Sequence, residues 1–261
     1  MHALSTIAAL SAREIIKFTR DRSRVVGAFV QPIAFWLLLG LGFAGTFQMP
    51  DETLAGIGYM EYLFPGIIAL VSLFTAIFST ISVVEERQSG FLQATLIAPT
   101  RRTALVLGNA LGGTLLSTLQ ALLFVLALPL IGLAFSFSGV LLVVFISFLT
   151  GLAFTALGFA IAWRMDSTRG FHAVMNLFLL PLWFLSGALF PLEGAATVLQ
   201  WLILINPVSY AVSGIRHGLY GFDGAPATLA EPLVCVLVTG GFAAVMIGLA
   251  VWTVRRPLFA N

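Results

Sequence analysis

Six apolar runs of roughly twenty residues, separated by short polar stretches, organise this 261-residue chain. A helix needs about 20 apolar residues to cross the hydrocarbon of a bilayer. The pattern therefore predicts spans at 26–47, 61–83, 104–132, 140–163, 171–191 and 233–254. The first is interrupted by Pro32 and carries Gly40, Gly42 and Gly45; the third is long enough to tilt, with Pro129 near its far end. The loop from Gly132 to Gly139 is short and uncharged and predicts a tight hairpin. No internal repeat is apparent, which argues against inverted-repeat secondary transporters.

Polar periodicity outside these runs predicts two further features. Over residues 4–24, Arg13, Lys17, Arg20 and Arg24 recur every three or four positions, opposite a stripe of Leu4, Ile7, Ser11, Ile15 and Phe18. That is the pattern of an amphipathic interfacial helix. It reads either as a plain juxtamembrane anchor or as an anchor that also touches a cytoplasmic partner. Between the second and third spans, Glu85, Glu86, Arg87, Gln88, Ser89 and Gly90 lead into Phe91, Leu92, Gln93, Ala94, Thr95, Leu96, Ile97, Ala98 and Pro99. Ser89 or Gly90 begins a predicted short helix, and Pro99 ends it. Phe91 and Leu92 lie four residues before Thr95 and Leu96, making a small apolar ridge. Either the helix bundle or a soluble partner must bury it.

The stretch 193–232 follows from topology. The fifth and sixth spans meet on one side, so the segment between them crosses zero or an even number of times. Residues 195–205 are apolar but too few to span. Asn206-Pro207 breaks the run, and 208–219 forms a second short helix with Arg216 and His217. Two short helices entering from one side predict a re-entrant or interfacial hairpin; a folded loop above the lipid is the alternative.

Charge changes the picture by fixing orientation. Twelve of the thirteen Lys and Arg residues fall at the N-terminus, in alternate gaps or at the C-terminus, and Arg216 is the exception. Cytoplasmic loops retain Lys and Arg. The chain therefore reads as a multi-pass protein of the bacterial inner membrane with both termini in the cytoplasm. Hydrophobic residues at 59%, charged residues at 9% and a mean hydropathy of +1.04 exclude an ordinary soluble domain. The basic residues are accounted for by topology, so no nucleic-acid partner is expected. The one cysteine, Cys235, excludes an internal disulfide. The N-terminal charges follow the first apolar stretch, unlike those of a signal peptide.

Most catalytic chemistry is missing. Lys17 is the one lysine and has no glycine-rich phosphate loop around it, so this chain is not expected to hydrolyse ATP. His2, His172 and His217 lack metal-ligand spacing. Ser213, His217 and Asp223 share an outer stretch, but no nucleophile elbow accompanies them. Span interiors carry almost no ionisable residues, which argues against an ion-driven relay. Thr75, Ser79, Ser82, Thr114, Ser117 and Gln120 suit helix packing, or a slightly polar path for an amphipath. Gly108 and Gly112 form a GxxxG, usually a close helix contact.

Three motifs, in this order and at these topological places, resemble the permease subunits of ABC-2 type exporters, in particular the daunorubicin-resistance-like drug and lipid branch. They are Glu85-Glu86-Arg87-Gln88-Ser89-Gly90-Phe91-Leu92 with Ala98-Pro99-Thr100-Arg101-Arg102; Leu185-Ser186-Gly187-Ala188-Leu189-Phe190-Pro191; and Asn206-Pro207-Val208-Ser209-Tyr210. Phe91 departs from the small polar residue expected after the glycine.

The resemblance implies an all-α membrane protein with six transmembrane helices, an N-terminal amphipathic interfacial helix, a cytoplasmic coupling helix and an outer re-entrant helical hairpin. These form a single transmembrane domain over 1–261: 1–24 interfacial, 26–191 spans one to five, 193–232 the hairpin and 233–254 span six. It implies that Glu85, Glu86, Arg87, Gly90, Phe91, Leu92, Leu96 and Pro99 dock on separate ATPase subunits, helped by Arg13, Lys17, Arg20 and Arg24. It implies an outer gate of Leu185, Ser186, Gly187, Pro191, Asn206, Pro207 and Tyr210. ATP and Mg would be bound by the partner subunit, with no cofactor or metal in this chain and a second permease copy completing a homodimer. The first, second and fifth spans would line the path of a hydrophobic or amphipathic substrate. Export of polysaccharide or lipid-linked glycan, a stand-alone channel or secondary transporter, and a non-transporting assembly or sensor protein are the competing readings.

Overall fold

The computed structural model describes residues 2–45, 57–90, 102–132, 136–193, 195–222 and 225–255. Among them the chain is entirely α-helical apart from turns and one 3-10 turn. Helix α1 (His2–Arg20) is followed by α2 (Arg22–Phe43), α3 (Tyr59–Ser79), α4 (Ile81–Gln88), α5 (Arg102–Val125), α6 (Phe137–Ala162) and α7 (Thr168–Phe184). The last three are α8 (Thr197–Ile205), α9 (Pro207–Tyr220) and α10 (Pro232–Arg255). Five helical stretches are long and apolar enough to cross a membrane, or six if the bent pair α8–α9 counts as one. This is an all-α, multi-pass membrane protein.

Helix α3 is the axis of the bundle, enclosed by α2, α5, α6, α7 and α9 and buried along nearly its whole length. Its start is fixed by Glu61, whose carboxylate accepts from Gly58 N–H at 3.1 Å. At its end Ser79 and Thr80 bond back to Ala76 O and Ile77 O (2.7 and 2.6 Å), and the chain restarts as α4. Hydroxyls that compete for helical carbonyls bend helices in this way. The packing of α3, α5 and α6 uses small residues. Gly113 faces Ser79 and Thr155, Gly151 faces Ser117, and Gly158 faces Thr80 and Ile77, with no room for a Cβ. Such contacts let backbones approach closely where lipid offers no hydrophobic drive.

The outer helices are different. Helix α2 leaves Val26, Val30, Ile33, Leu37, Leu38 and Leu41 exposed, and α10 leaves Leu233, Leu237 and Val245 exposed. These faces suit lipid or another apolar surface.

Several boundaries differ from the pattern. Arg24 falls in α2, not on the N-terminal helix. Asp21 N–H is shared between Lys17 O and Phe18 O (3.3 and 3.2 Å), which closes α1, and Asp21 O accepts Val25 N–H to open α2. The second span runs on into α4, so Glu85, Glu86 and Arg87 lie at its helical end. Ser89 and Gly90 end that helix, and the short helix expected to follow them falls outside the described residues. Ser89 N–H bonds Glu85 O, and Gly90 takes φ +76°, a left-handed stop that glycine adopts without strain. The run expected as the fifth span forms a 17-residue helix, α7, about 25 Å long, which is not among the five stretches long and apolar enough to cross. It stops short of 191 because Asn206 takes its last carbonyls and Gly187 turns the chain at φ +72°.

Candidate functional site

At the end of the bundle that carries Arg87, Arg102 and Arg164, four charged side chains from two helices converge. Glu86 Oε1 receives Lys17 Nζ at 2.6 Å and Arg13 Nη2 at 2.9 Å, and the same Arg13 nitrogen lies 2.9 Å from Glu14 Oε1. Glu86 and Glu14 are 8% and 4% exposed. Two carboxylates and two cations in one partly buried cluster balance each other and tie α1 to α4. The position of α1 is set by α5. A Cβ on Gly108 would lie 2.7 Å from Leu10 Cβ, and one on Gly112 would lie 2.9 Å from Glu14 Cβ. Ser11 Oγ donates to Gly108 O at 3.0 Å. The GxxxG thus receives the N-terminal helix. Beside the cluster, Arg87 reaches Asp166 at 3.2 Å and Gln88 Nε2 donates to Asp166 O at 2.8 Å, which joins α4 to the start of α7.

Glu14 and Lys17 of the cluster also line a cavity of about 350 Å³. Helices α1, α2, α3, α5 and α7 all contribute to it. Its lining combines apolar residues, among them Pro32, Leu70, Phe74 and Phe78, with the polar Lys17, Gln31, Ser79 and Asn176. The Phe78 ring lies 5.0 Å from that of His172. A concave, mostly apolar chamber with a few polar groups is the usual form of a small-molecule site.

The opposite end is closed by hydrogen bonds to backbone. Asn206 Nδ2 donates to Leu182 O and Leu185 O (2.6 and 2.8 Å), and its Oδ1 accepts Val208 N–H at 3.0 Å. One side chain therefore ends α7 and starts α9, where Pro207 at the first position needs no donor. Arg216, 3% exposed, donates to Ala227 O at 2.6 Å and to Gly187 O at 2.8 Å and sits 4.4 Å above the Tyr62 ring. Tyr62 Oη donates to the same Gly187 carbonyl at 2.8 Å, and Tyr59 Oη to Leu189 O at 3.1 Å. Trp183 Nε1 donates to Gly66 O at 2.8 Å. The turn 185–190 is thus fastened to α3 and α9.

The sequence profile described as ABC-2 type transporter matches residues 5–220, from α1 to the end of α9. The chain belongs to the ABC-2 type transporter family. It is similar to the ycf38 proteins, named as transport permeases, of the alga Porphyra purpurea (30% identical over 218 residues, 82% of this chain and 74% of the relative) and of Cyanophora paradoxa (25% over 211 residues, 79% and 71%). Family and relatives together make this a transport permease of the membrane.

Within that ABC-2 frame, the motif residues divide into three groups. Arg13, Lys17 and Glu86 meet in the cluster, with Arg87 one position on; Arg20 is exposed at the end of α1. Phe91, Leu92, Leu96 and Pro99 lie outside the described residues, as does Asp223. Leu185, Ser186, Gly187, Asn206 and Pro207 assemble at the opposite end, where Ser186 Oγ bonds Trp183 O at 2.6 Å. Tyr210 turns back to Leu204 O at 3.0 Å, and Pro191 lies at the far end of the turn. Of the stripe on α1, Ser11 is buried and Ile7, Ile15 and Phe18 are half-buried. The polar residues along the spans split as well. Thr75 and Ser79 line the cavity, whereas Thr114 and Ser117 pack between helices and Gln120 bonds Thr75 from behind. Tyr59, Tyr62, Trp183 and Arg216 also fasten this end of the bundle, and no sequence motif marks the first three. The one signal was Arg216, the single basic residue out of step with the charge pattern. Among the described residues no group of His, Cys, Asp and Glu could hold a metal ion.

Proposed function

We propose that this chain is the permease subunit of an ATP-driven exporter that moves a hydrophobic or amphipathic molecule, drug-like or lipid-like, out of the cytoplasm. ATP and Mg are bound by separate ATPase subunits, and a second copy of the permease completes a homodimer in a bacterial inner membrane, with both termini cytoplasmic. The observation that carries this is the cavity between α2, α3 and α7. It lies beside the ion cluster that links α1 to α4, the helix leading into the loop between the second and third spans. A site of about 350 Å³ suits a drug- or lipid-sized molecule better than a glycan chain. Closure of the ATPase pair would push on the loop after Gly90, shift α4 with α1, and move α2 and α7 against the tightly packed α3–α5–α6 unit. The fastened turn at 185–190 would then release the molecule outward.

The test is ATP-dependent uptake of a lipophilic fluorescent dye into inverted membrane vesicles containing the chain and its ATPase. Accumulation on ATP addition, absent with a non-hydrolysable analogue, is expected. Transport that proceeds without ATP would favour the stand-alone transporter instead.

A further inference from the structure

The cavity and the ion cluster share Lys17. It lines the cavity and places Nζ 2.6 Å from Glu86 Oε1. An ammonium has three N–H donors; among the described residues, Glu86 is the one acceptor recorded for it. Its side chain keeps 37% of its surface exposed, against 5% for Glu14, the other cluster residue that lines the cavity. Glu14 already has its oxygen on Arg13. Of the two cluster charges that line the cavity, the more accessible is therefore the cation, with donors left over, in a lining that also includes Leu70, Phe74 and Phe78.

We propose that this cavity binds an anionic amphipath, its carboxylate or phosphate oxygen on Lys17 and its apolar chain along Phe74 and Phe78, and that binding draws Lys17 away from Glu86. The inference rests on the permease reading of the cavity and narrows its substrate class. A bound anion competes with Glu86 for the ammonium. Glu86 keeps Arg13 at 2.9 Å, so α4 is loosened from α1 without being released. Occupancy of the cavity thereby reaches the helix that leads into the loop after Gly90.

The test is calorimetric titration of the full-length chain, purified in a neutral maltoside detergent, with dodecyl phosphate, dodecanoate, dodecyltrimethylammonium and inorganic phosphate. Both anionic amphipaths are expected to bind about tenfold or more tightly than the cationic one, the scale of one charge-assisted hydrogen bond. Inorganic phosphate, lacking the chain, is expected to show no binding. Lys17→Met should weaken anionic binding by about the same factor, and Glu86→Gln, which removes the competitor, should tighten it. Whichever of dodecyl phosphate and dodecanoate binds tighter identifies the head group. Equal affinity for the cationic amphipath overturns the proposal, as does binding of inorganic phosphate alone. Unchanged affinity in Glu86→Gln, read independently of whether Lys17→Met folds, overturns the competition. No ATPase is present in this assay. Failure here leaves the permease reading standing, and failure of ATP-dependent uptake leaves this binding result standing.

Discussion

Lys17 and Glu86, sixty-nine positions apart, meet at 2.6 Å, and through them the N-terminal helix holds the end of the second span. Arg13 reinforces the contact from one turn earlier on α1. Glu86→Arg would place a third cation beside Arg13 and Lys17 and drive α1 from α4. A loss of about 1–3 kcal/mol is expected, below that of a fully buried pair because Lys17 is partly solvated. Glu86→Gln should cost less. Thermal unfolding of the purified variants in detergent measures both, and equal midpoints for Glu86→Arg and the unaltered chain would contradict the contact.

The seat of α1 on α5 is steric. Alanine at Gly112 would improve helix propensity by about 1 kcal/mol in isolation. Here its Cβ meets Glu14 Cβ at 2.9 Å and Ser11 Cα at 3.2 Å, and the latter is backbone. Gly112→Leu is therefore expected to displace α1. Ser11→Ala removes one hydrogen bond and should cost about 1 kcal/mol without displacement. Limited proteolysis distinguishes them: accelerated cleavage after Arg13, Lys17 and Arg20 is expected for Gly112→Leu and not for Ser11→Ala.

Asn206 separates two roles. Asp caps a helix N-terminus as well as Asn does, so Asn206→Asp preserves the start of α9. It removes both N–H donors from Leu182 O and Leu185 O and turns an acceptor toward them. Asn206→Asp is expected to destabilise the chain by about 2–4 kcal/mol, at least as much as Asn206→Ala, from the two carbonyls left unpaired. If Asp were tolerated and Ala were not, the side chain would be acting as an N-cap alone.

Arg216 and Tyr62 share one acceptor, the carbonyl of Gly187. Arg216→Lys keeps the charge but lacks the fork that reaches Gly187 and Ala227 together. Tyr62→Phe loses one donor and should cost about 1 kcal/mol. Because the two side chains touch, a double-mutant cycle should return a coupling of about 0.5–3 kcal/mol. Additive effects within about 0.5 kcal/mol would show that they act separately.

How much of this could be read from the chain depends on the element. Five of the six expected spans were legible because apolar runs of that length have few other solutions in a membrane protein. Asn206-Pro207 was legible as a joint because Pro cannot continue a helix and Asn caps one. The neighbours of each span were not. Helices α6 and α10 are apolar all round, so periodicity gives neither a preferred face. Arg13 and Lys17 could be placed on one face of α1, but nothing local to either segment pairs them with Glu86. Gly108 and Gly112 announced a close contact without naming α1. The residues fastening 185–190, Tyr62 and Trp183 above all, were hidden because aromatic residues are common in every span and their bonds go to backbone.

The proposed mechanism requires this permease to work through an ATPase partner and the Glu86 cluster. The most direct measurement is co-purification of the tagged chain from its native membrane, with ATP hydrolysis assayed on the complex for the unaltered chain and for Glu86→Arg. A stoichiometric nucleotide-binding subunit is predicted, with hydrolysis altered in Glu86→Arg while the variant remains inserted in the membrane. An intact permease that brings down no ATPase, or a complex whose hydrolysis is the same in both forms, would contradict it.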